Sequence, residues 1–301
     1  MMTKYGKLKG LEDISLYPNG YIKSCRVTEF NELKTSIGIL IPQYETKDER
    51  RKLTGTLEFY ENGDLMYICL DEQISIKTNI GIIPVEKILF YENEKIKRIF
   101  PLNGKLSGYW TEENEYNLAK ITHIKNNKYS FSAKFISIAF YKNGNLKSLT
   151  LWPREKLIIN DIIIRKGISF YENGDIKSLE PAKEINVSTP IGNIRVFNNE
   201  INGLHGDINS LEYYDNGEIK SLYTCSSLIE IINEKKESFI IKPTLKAGWC
   251  NESIKYPVPI KIDFFESFIR FNESIEFQII NSSFKIENFS KNSVLEELIC
   301  S

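Results

Sequence analysis

Residues 168–179 read ISFYENGDIKSL, and variants of this stretch recur along the 301-residue chain. In each copy an apolar residue and a tyrosine precede the turn, and an alternating apolar run follows it. Recurrence of this kind indicates a unit of about 30 residues, with insertions in three of the five intervals. The six copies occupy residues 16–20, 59–63, 90–94, 140–144, 170–174 and 213–217.

Each copy predicts a β-hairpin, because Asn-Gly between alternating apolar runs favours a turn whose two central residues have positive φ. This two-residue loop would place Tyr60 opposite Leu65. A three-residue loop with a glycine bulge would instead pair the phenylalanine before the tyrosine with Leu65. We favour the two-residue loop. The third copy has Glu94 in place of glycine, so its turn is either strained or of another type.

A second pattern, Thr-x-Ile-Gly, follows three of the tyrosines at a constant offset, in residues 35–38, 78–81 and 189–192. Alternating residues flank it, so it predicts a further strand-turn-strand. Asn160-Asp161 offers an equivalent turn in the fourth unit. No helices suited to parallel crossovers are visible between the strands, so the pairing should be antiparallel. We expect an all-β, elongated antiparallel meander of about six repeated hairpin units.

The insertions and the C-terminal part depart from the repeat. The charged run 45–52 predicts a solvated loop or short helix, and residues 198–207 form another insertion. In residues 102–119, Thr111 followed by acidic residues predicts a helix N-terminus. The repeat ends near residue 228, so we predict a repeat domain over 1–228 and a β-rich cap or small domain over 229–301, with a second short helix at 293–299.

Composition excludes several classes of protein. The 39 Lys+Arg residues balance 40 Asp+Glu residues, which argues against DNA binding through bulk charge. The five cysteines form no Cys-x-x-Cys pair and there are only two histidines, so we expect no metal site and no disulfide framework. Recognisable catalytic and cofactor-binding motifs are missing, so we expect no enzyme and no cofactor. Without a signal peptide or a transmembrane segment, we expect a cytoplasmic protein.

At the six repeat copies the chain resembles the MORN-type repeats, in particular a bacterial, antitoxin-like variant with Tyr-x-Asn-Gly-x-Leu-Lys units. The best match is residues 90–110, which contain FYEN, IKR and then NGKLSGYW. The other copies match only the first half of the family pattern, and their period is longer. The resemblance implies a twisted sheet of hairpins that acts as a scaffold for protein contacts, and it brings no catalytic residues.

Two insertions contain candidate binding residues. Tyr109 and Trp110 lie beside the predicted helix and are the best candidate for contact with a protein partner, since large aromatic side chains carry much of an interface's energy. Burial of Trp110 beneath the helix is the alternative. His205 and Asp207 flank a glycine that can form a tight turn and present both to a ligand; otherwise this is a loop turn with His205 packed on Tyr213.

One lysine position recurs and would form a basic ladder beside the repeat tyrosines. Exposed ladders would fit a carbohydrate or a polyanion. Tyrosines packed on neighbouring hairpins and lysines offset by acidic turns would instead be structural. The lysines are Lys23, Lys97, Lys147, Lys177 and Lys220.

The sequence therefore predicts a non-enzymatic repeat scaffold that binds another protein through its insertions, in an antitoxin- or immunity-like role. A carbohydrate- or polyanion-binding module is the alternative. A hydrolase would need carboxylates such as Asp207 and Glu112 or Glu113 to converge in one cleft. Exposed sheet edges also favour a homodimer.

Overall fold

A computed structural model describes residues 1–47, 49–200, 205–247 and 255–289. The chain divides into two compact units, Met1–Glu155 with Phe170–Asp175, and Lys156–Ser169 with Ile176–Ser301. Over the described residues the regular structure is β, apart from one short helix, which confirms the all-β prediction. In these ranges no helix combines the length and apolarity needed to cross a membrane.

The first unit contains an eight-stranded antiparallel sheet and three separate hairpins. Its elements are β1 (Met2–Thr3), β2 (Gly6–Lys7), β3 (Leu11–Leu16), β4 (Ile22–Val27), β5 (Leu33–Thr35), β6 (Gly38–Leu40), β7 (Leu57–Phe59), β8 (Leu65–Thr78), β9 (Gly81–Phe90), β10 (Ile96–Phe100), α1 (Glu112–Leu118), β11 (Thr122–Lys125), β12 (Ser130–Ala133), β13 (Phe135–Phe140) and β14 (Leu146–Leu151). The sheet order is β3-β4-β7-β8-β9-β10-β13-β14, and the hairpins are β1-β2, β5-β6 and β11-β12.

The second unit repeats this plan. Its described strands are β15 (Leu157–Ile159), β16 (Ile162–Phe170), β17 (Ile176–Pro181), β18 (Ile185–Thr189), β19 (Gly192–Val196), β20 (Leu211–Tyr213), β21 (Ile219–Thr224), β22 (Ser227–Ile232), β23 (Ser238–Ile241), β24 (Leu245–Ala247), β25 (Lys255–Pro257), β26 (Ile260–Phe264), β27 (Phe268–Phe271), β28 (Ile275–Gln278) and β29 (Ser283–Asn288). The sheet runs β16-β17-β20-β21-β26-β27-β28, and β15 also pairs with β16. The smaller sheets are β18-β19, β24-β25 and β23-β22-β29.

Strands β26 to β28 continue the meander beyond the last Asn-Gly copy, since β26 pairs with β21. Part of the region predicted as a cap therefore extends the main sheet of its unit. The domain boundary at residue 228 stays a prediction. The helix predicted at 293–299 lies outside the described residues.

The repeat turns have three-residue loops, so the predicted two-residue loop is wrong. In the second copy the Tyr60 amide donates to the Asp64 carbonyl and the Gly63 amide donates to the Tyr60 carbonyl, both at 2.8 Å. Phe59 then pairs with Leu65. Glycine is the residue with positive φ, +83° at Gly63. This geometry is a type I turn followed by a glycine bulge.

Asparagine is suited to this turn because its side chain satisfies the bulge amide. Asn62 Oδ1 accepts a hydrogen bond from the amide of Asp64 at 2.9 Å, and the other five copies make the same bond. In the third copy Glu94 adopts the glycine conformation at φ 60°, which costs an L-residue about 1 kcal/mol. Its carboxylate accepts a hydrogen bond from the Tyr5 hydroxyl at 2.9 Å. The third turn is therefore strained, and it is not of another type.

The Thr-x-Ile-Gly segments form the predicted tight hairpins. In each, the threonine pairs with the glycine and its Oγ1 donates to the glycine carbonyl. A fourth such turn, missing from the sequence predictions, joins β1 to β2 at residues 3–6 with the same hydroxyl bond at 2.8 Å. The loop of Asn160 and Asp161 also joins two paired strands, with positive φ at both residues.

Candidate functional site

Tyr109 stands exposed on a hydrogen-bonded turn in the insertion between β10 and β11. Its side chain is 80% exposed, and that of Leu106 is 67% exposed. The amide of Ser107 donates to the carbonyl of Trp110 at 2.9 Å. In return, Ser107 Oγ accepts from the amides of Tyr109 at 3.1 Å and Trp110 at 3.0 Å. The exposed ring is thus presented by a constrained backbone.

Trp110 anchors this turn to helix α1. Its indole Nε1 donates to Glu115 Oε2 at 2.7 Å, and Glu115 is 5% exposed. Thr111 is the N-cap of the helix: its Oγ1 accepts from the Asn114 amide, and the Asn114 side chain accepts from the Thr111 amide. The predicted N-cap is therefore confirmed. Trp110 is half-buried against the helix, while Tyr109 faces solvent.

Glu115 belongs to a buried charged cluster in which Arg50 lies between Glu115 and Glu86. Arg50 Nη1 lies 3.1 Å from Glu115 Oε1, and the same guanidinium contacts both carboxylate oxygens of Glu86 at 2.6 and 3.0 Å. Arg50 is 8% exposed and Glu86 3% exposed. The amides of Asn103 and Gly104 donate to Glu86 and Glu115 respectively, each at 2.7 Å. This charged cluster ties the insertion to strand β9 and to the run 45–52.

The run 45–52 is only partly solvated, which corrects the expectation of a solvated loop or short helix. Most of its described residues are exposed and form no helix, but Arg50 and Arg51 are buried. A buried guanidinium costs several kcal/mol unless it is paired. Arg50 is paired with the two carboxylates, and Arg51 donates to the backbone carbonyls of Leu70 and, at 3.0 Å, Asp71. The run is therefore held against the insertion by the pairing of Arg50 with Glu86 and Glu115.

His205 and Asp207 lie in the second unit, in a turn between β19 and β20. Both are half-buried, and the intervening Gly206 is buried. Asn209 Nδ2 donates to the Gly206 carbonyl at 2.8 Å, and Lys166 Nζ donates to a backbone carbonyl of the same turn at 2.7 Å. Burial lowers the pKa of Lys166, whereas the charge of Asp207 acts to raise it. Because Tyr109 and Trp110 belong to the first unit, these are two separate candidates.

The repeat tyrosines are half-buried, and their hydroxyls join one hairpin to the next. We call each of these hydrogen bonds a tyrosine joint. In five copies the hydroxyl donates to the backbone carbonyl of a phenylalanine in the next hairpin of the sheet: Tyr17 to Phe59 at 3.0 Å, Tyr60 to Phe90 at 2.8 Å, Tyr91 to Phe140 at 2.9 Å, Tyr141 to Phe170 at 2.7 Å and Tyr214 to Phe264 at 2.7 Å. These five hydroxyls already donate to backbone carbonyls within the protein. A bound sugar would have to replace those hydrogen bonds.

The lysines of the predicted ladder are exposed or half-buried, and several contact groups of their own hairpin. Nζ lies over the ring of the same copy's tyrosine at 5.9 Å for Lys23 and at 5.7 Å for both Lys97 and Lys147. Lys220 Nζ is 3.4 Å from a carboxylate oxygen of Glu212. Lys177 is half-buried in β17. The ladder charge is thus partly compensated by neighbouring rings and acids.

Comparisons with known proteins give no relative for this chain: no family model matches it, and neither the curated proteins nor the solved structures contain a similar one. Over the ranges that the structure describes, no three side chains of His, Cys, Asp or Glu are grouped in a way that could hold a metal ion.

Proposed function

We propose that this protein is a non-enzymatic β-repeat scaffold that binds another protein through the insertion at residues 102–119. The observation that carries the proposal is the contrast between the exposed Tyr109 and its buried support. Tyr109 and Leu106 face solvent, while Trp110 bonds to a glutamate that is held by the charged cluster.

This arrangement suits protein recognition for a physical reason. Binding by a mobile loop loses affinity, because each ordered side chain costs roughly 0.5 to 1.5 kcal/mol. Here the turn at Ser107, the Trp110 bond and the helix cap fix the backbone before any partner arrives. An exposed tyrosine on a fixed backbone is a typical interface anchor.

The resemblance to antitoxin-like repeats suggests a toxin-like protein in the cytoplasm as the partner. The homodimer through a sheet edge stays a prediction. A carbohydrate- or polyanion-binding role for the ladders draws less support, because the tyrosine hydroxyls already donate to neighbouring hairpins and ladder lysines lie over tyrosine rings.

The test replaces Tyr109 with a photo-crosslinking amino acid in cells of the source organism. We expect a covalent adduct with one protein, and we expect affinity capture of that protein to be lost in Tyr109→Ala. Ile82 is the matched control, because it is also exposed and apolar in the first unit, at 65%. Ile82→Ala should retain the captured protein, and a crosslinker at Ile82 should not form the adduct.

Two results would contradict this proposal. One is capture that survives both Tyr109→Ala and Leu106→Ala. The other is an adduct profile that is the same for crosslinkers at positions 109 and 82, which would indicate only random collisions at the surface.

A further inference from the structure

Several turn glycines of the repeat are covered by the tip of a separate hairpin. A Cβ built on Gly63 would come within 3.7 Å of Lys4 Cε, from the β1-β2 turn. A Cβ on Gly174 would lie 3.9 Å from Lys128 Cγ, from the loop between β11 and β12. The aliphatic part of a lysine thus lies above the turn glycine in two copies.

In both copies the lysine ammonium meets the acidic residue that directly follows the glycine. Lys4 Nζ is 2.6 Å from Asp64 Oδ1, and Lys128 Nζ is 2.5 Å from Asp175 Oδ1. The acid after the glycine is therefore one half of a pair whose other half comes from outside the hairpin.

A neutral copy shows the same matching. Asn79, from the tip of the β8-β9 hairpin, covers Gly144, with its Nδ2 2.8 Å from a Cβ built there. The residue after that glycine is Asn145, which carries no charge. In three copies, therefore, the side chain above the turn matches the one after the glycine. Two copies place a lysine with an aspartate, and one places an asparagine with an asparagine.

The copy in the second unit has the acid without the lysine. Gly217 has open space above it, with nothing within 4 Å of a built Cβ, and Glu218 follows it. The nearest equivalent of Lys4 in the Thr-x-Ile-Gly turn of this unit is Pro190, which has no charge. Over the described part of the chain, Glu218 makes a hydrogen bond with Asn216 at 2.8 Å and has no cationic partner.

A cavity of about 900 Å³ occupies this position. Its described lining includes the aromatic residues Tyr214 and Phe265 and the acidic residues Glu218 and Glu266. None of the described lining residues is basic. Arg270 lies over the Phe265 ring, 4.8 Å from its centre, and its charge is paired with Glu276 at 2.7 Å. Aromatic side chains beside carboxylates favour a cation on an apolar stem.

We propose that this cavity binds a lysine side chain from a basic segment of a partner protein, with the aliphatic stem over Gly217 and the ammonium on Glu218. The site is in the second unit and does not depend on the role of Tyr109. A lysine is the expected ligand because lysine side chains occupy the same place over the turn in two other copies.

The test uses the full chain, labelled so that NMR detects the amides of glycines that follow asparagine, which include those of the repeat turns. The probe is the acetylated, amidated peptide Gly-Ala-Lys-Ala-Gly, and the control peptide has glutamine in place of lysine. We expect the lysine peptide to shift the Gly217 signal in a saturable way, and to leave Gly63 and Gly174 unchanged. The glutamine peptide should leave Gly217 unchanged.

Glu218→Gln should weaken the lysine peptide about five-fold, as expected for a partly screened ion pair. The matched control is Asp215→Asn, which removes the same charge from the same turn at a residue outside the cavity lining, and which should change affinity less than two-fold on the same reasoning. An unchanged spectrum of the other turn glycines verifies that each variant is folded.

Equal losses in the two variants would overturn the proposal, because they would indicate only the general charge of the turn. Equal shifts from the glutamine peptide would overturn it too. Spermidine is a third probe. If spermidine shifts the Gly217 signal in a saturable way and the lysine peptide does not, the cavity binds a free polyamine and the proposed protein partner is refuted.

Discussion

Replacing Glu115 with glutamine tests whether the charged cluster holds the exposed turn. Glu115 accepts from Arg50 at 3.1 Å, from the Gly104 amide at 2.7 Å and from Trp110 at 2.7 Å. Glutamine retains one acceptor oxygen and turns its NH2 group toward a donor. Breaking a buried pair costs about 3 to 5 kcal/mol, and since Arg50 keeps both oxygens of Glu86, we expect about 3 kcal/mol, the low end.

Glu113→Gln is the matched control in the same helix. Glu113 pairs with Arg154 at 3.1 Å, but both side chains are about 60% exposed, so its loss should cost less than about 1 kcal/mol. Trypsin cleavage after the exposed Lys105, whose amide donates to the Arg50 carbonyl at 2.8 Å, measures local opening of the insertion. Glu115→Gln should accelerate cleavage about 100-fold, as 3 kcal/mol of local stability implies, and Glu113→Gln less than 10-fold.

Urea unfolding followed by tryptophan fluorescence gives the second measurement. Glu115→Gln should lower the midpoint of the transition that includes Trp110, since this indole loses its acceptor. Equal cleavage rates and equal midpoints in the two glutamate variants would refute the anchoring argument. The exposed turn would then depend on its own hydrogen bonds alone.

Three further predictions concern the repeat. Tyr141→Phe removes one tyrosine joint and should lower the free energy of unfolding in urea by about 1 kcal/mol, whereas the same change at the exposed Tyr109 should not alter it. Glu94→Gly should raise that free energy by about 1 kcal/mol when made in Tyr5→Phe, a background in which the hydrogen bond to Glu94 is already lost; no gain would show that the positive φ carries no strain. Burial raises the pKa of Tyr213 to about 12, so the folded state favours the neutral phenol. Its contribution to stability is present below about pH 10 and is lost as the pH rises toward 12. Tyr213→Phe should therefore lose less stability over this pH range than the parent, as measured by urea midpoints, and Tyr109→Phe should behave like the parent.

The hairpins were predictable because their signals are local. Asn-Gly at regular positions identifies a turn from three or four residues, and Thr111 identifies a helix start in the same way. The loop length was not predictable, because Asn-Gly also fits a type I turn with a glycine bulge. The choice depends on the neighbouring hairpin, where the hydroxyl of Tyr60 finds the Phe90 carbonyl, and a single hairpin sequence does not contain that information.

The charged cluster was not predictable for a related reason. Arg50 lies 36 residues from Glu86 and 65 from Glu115 along the chain, and only the folded sheet brings them together. Within its charged run, Arg50 looks like an ordinary solvated residue. One signal was available: Glu86 interrupts an apolar strand at a position whose neighbours Val85 and Ile88 are fully buried. A lone carboxylate there predicts a buried cationic partner.

The tyrosine joints keep the same geometry although the chain segments between them differ in length. Donor and acceptor are 29 residues apart in one joint and 50 in another, yet their bonds are equally short at 2.7 Å. Segments between joints can therefore grow or shrink without altering how consecutive modules dock. A foreign peptide could therefore be grafted into such a segment without loss of the tyrosine joints. In evolution the number of modules could likewise change while each pair of neighbouring hairpins kept the same hydrogen bond.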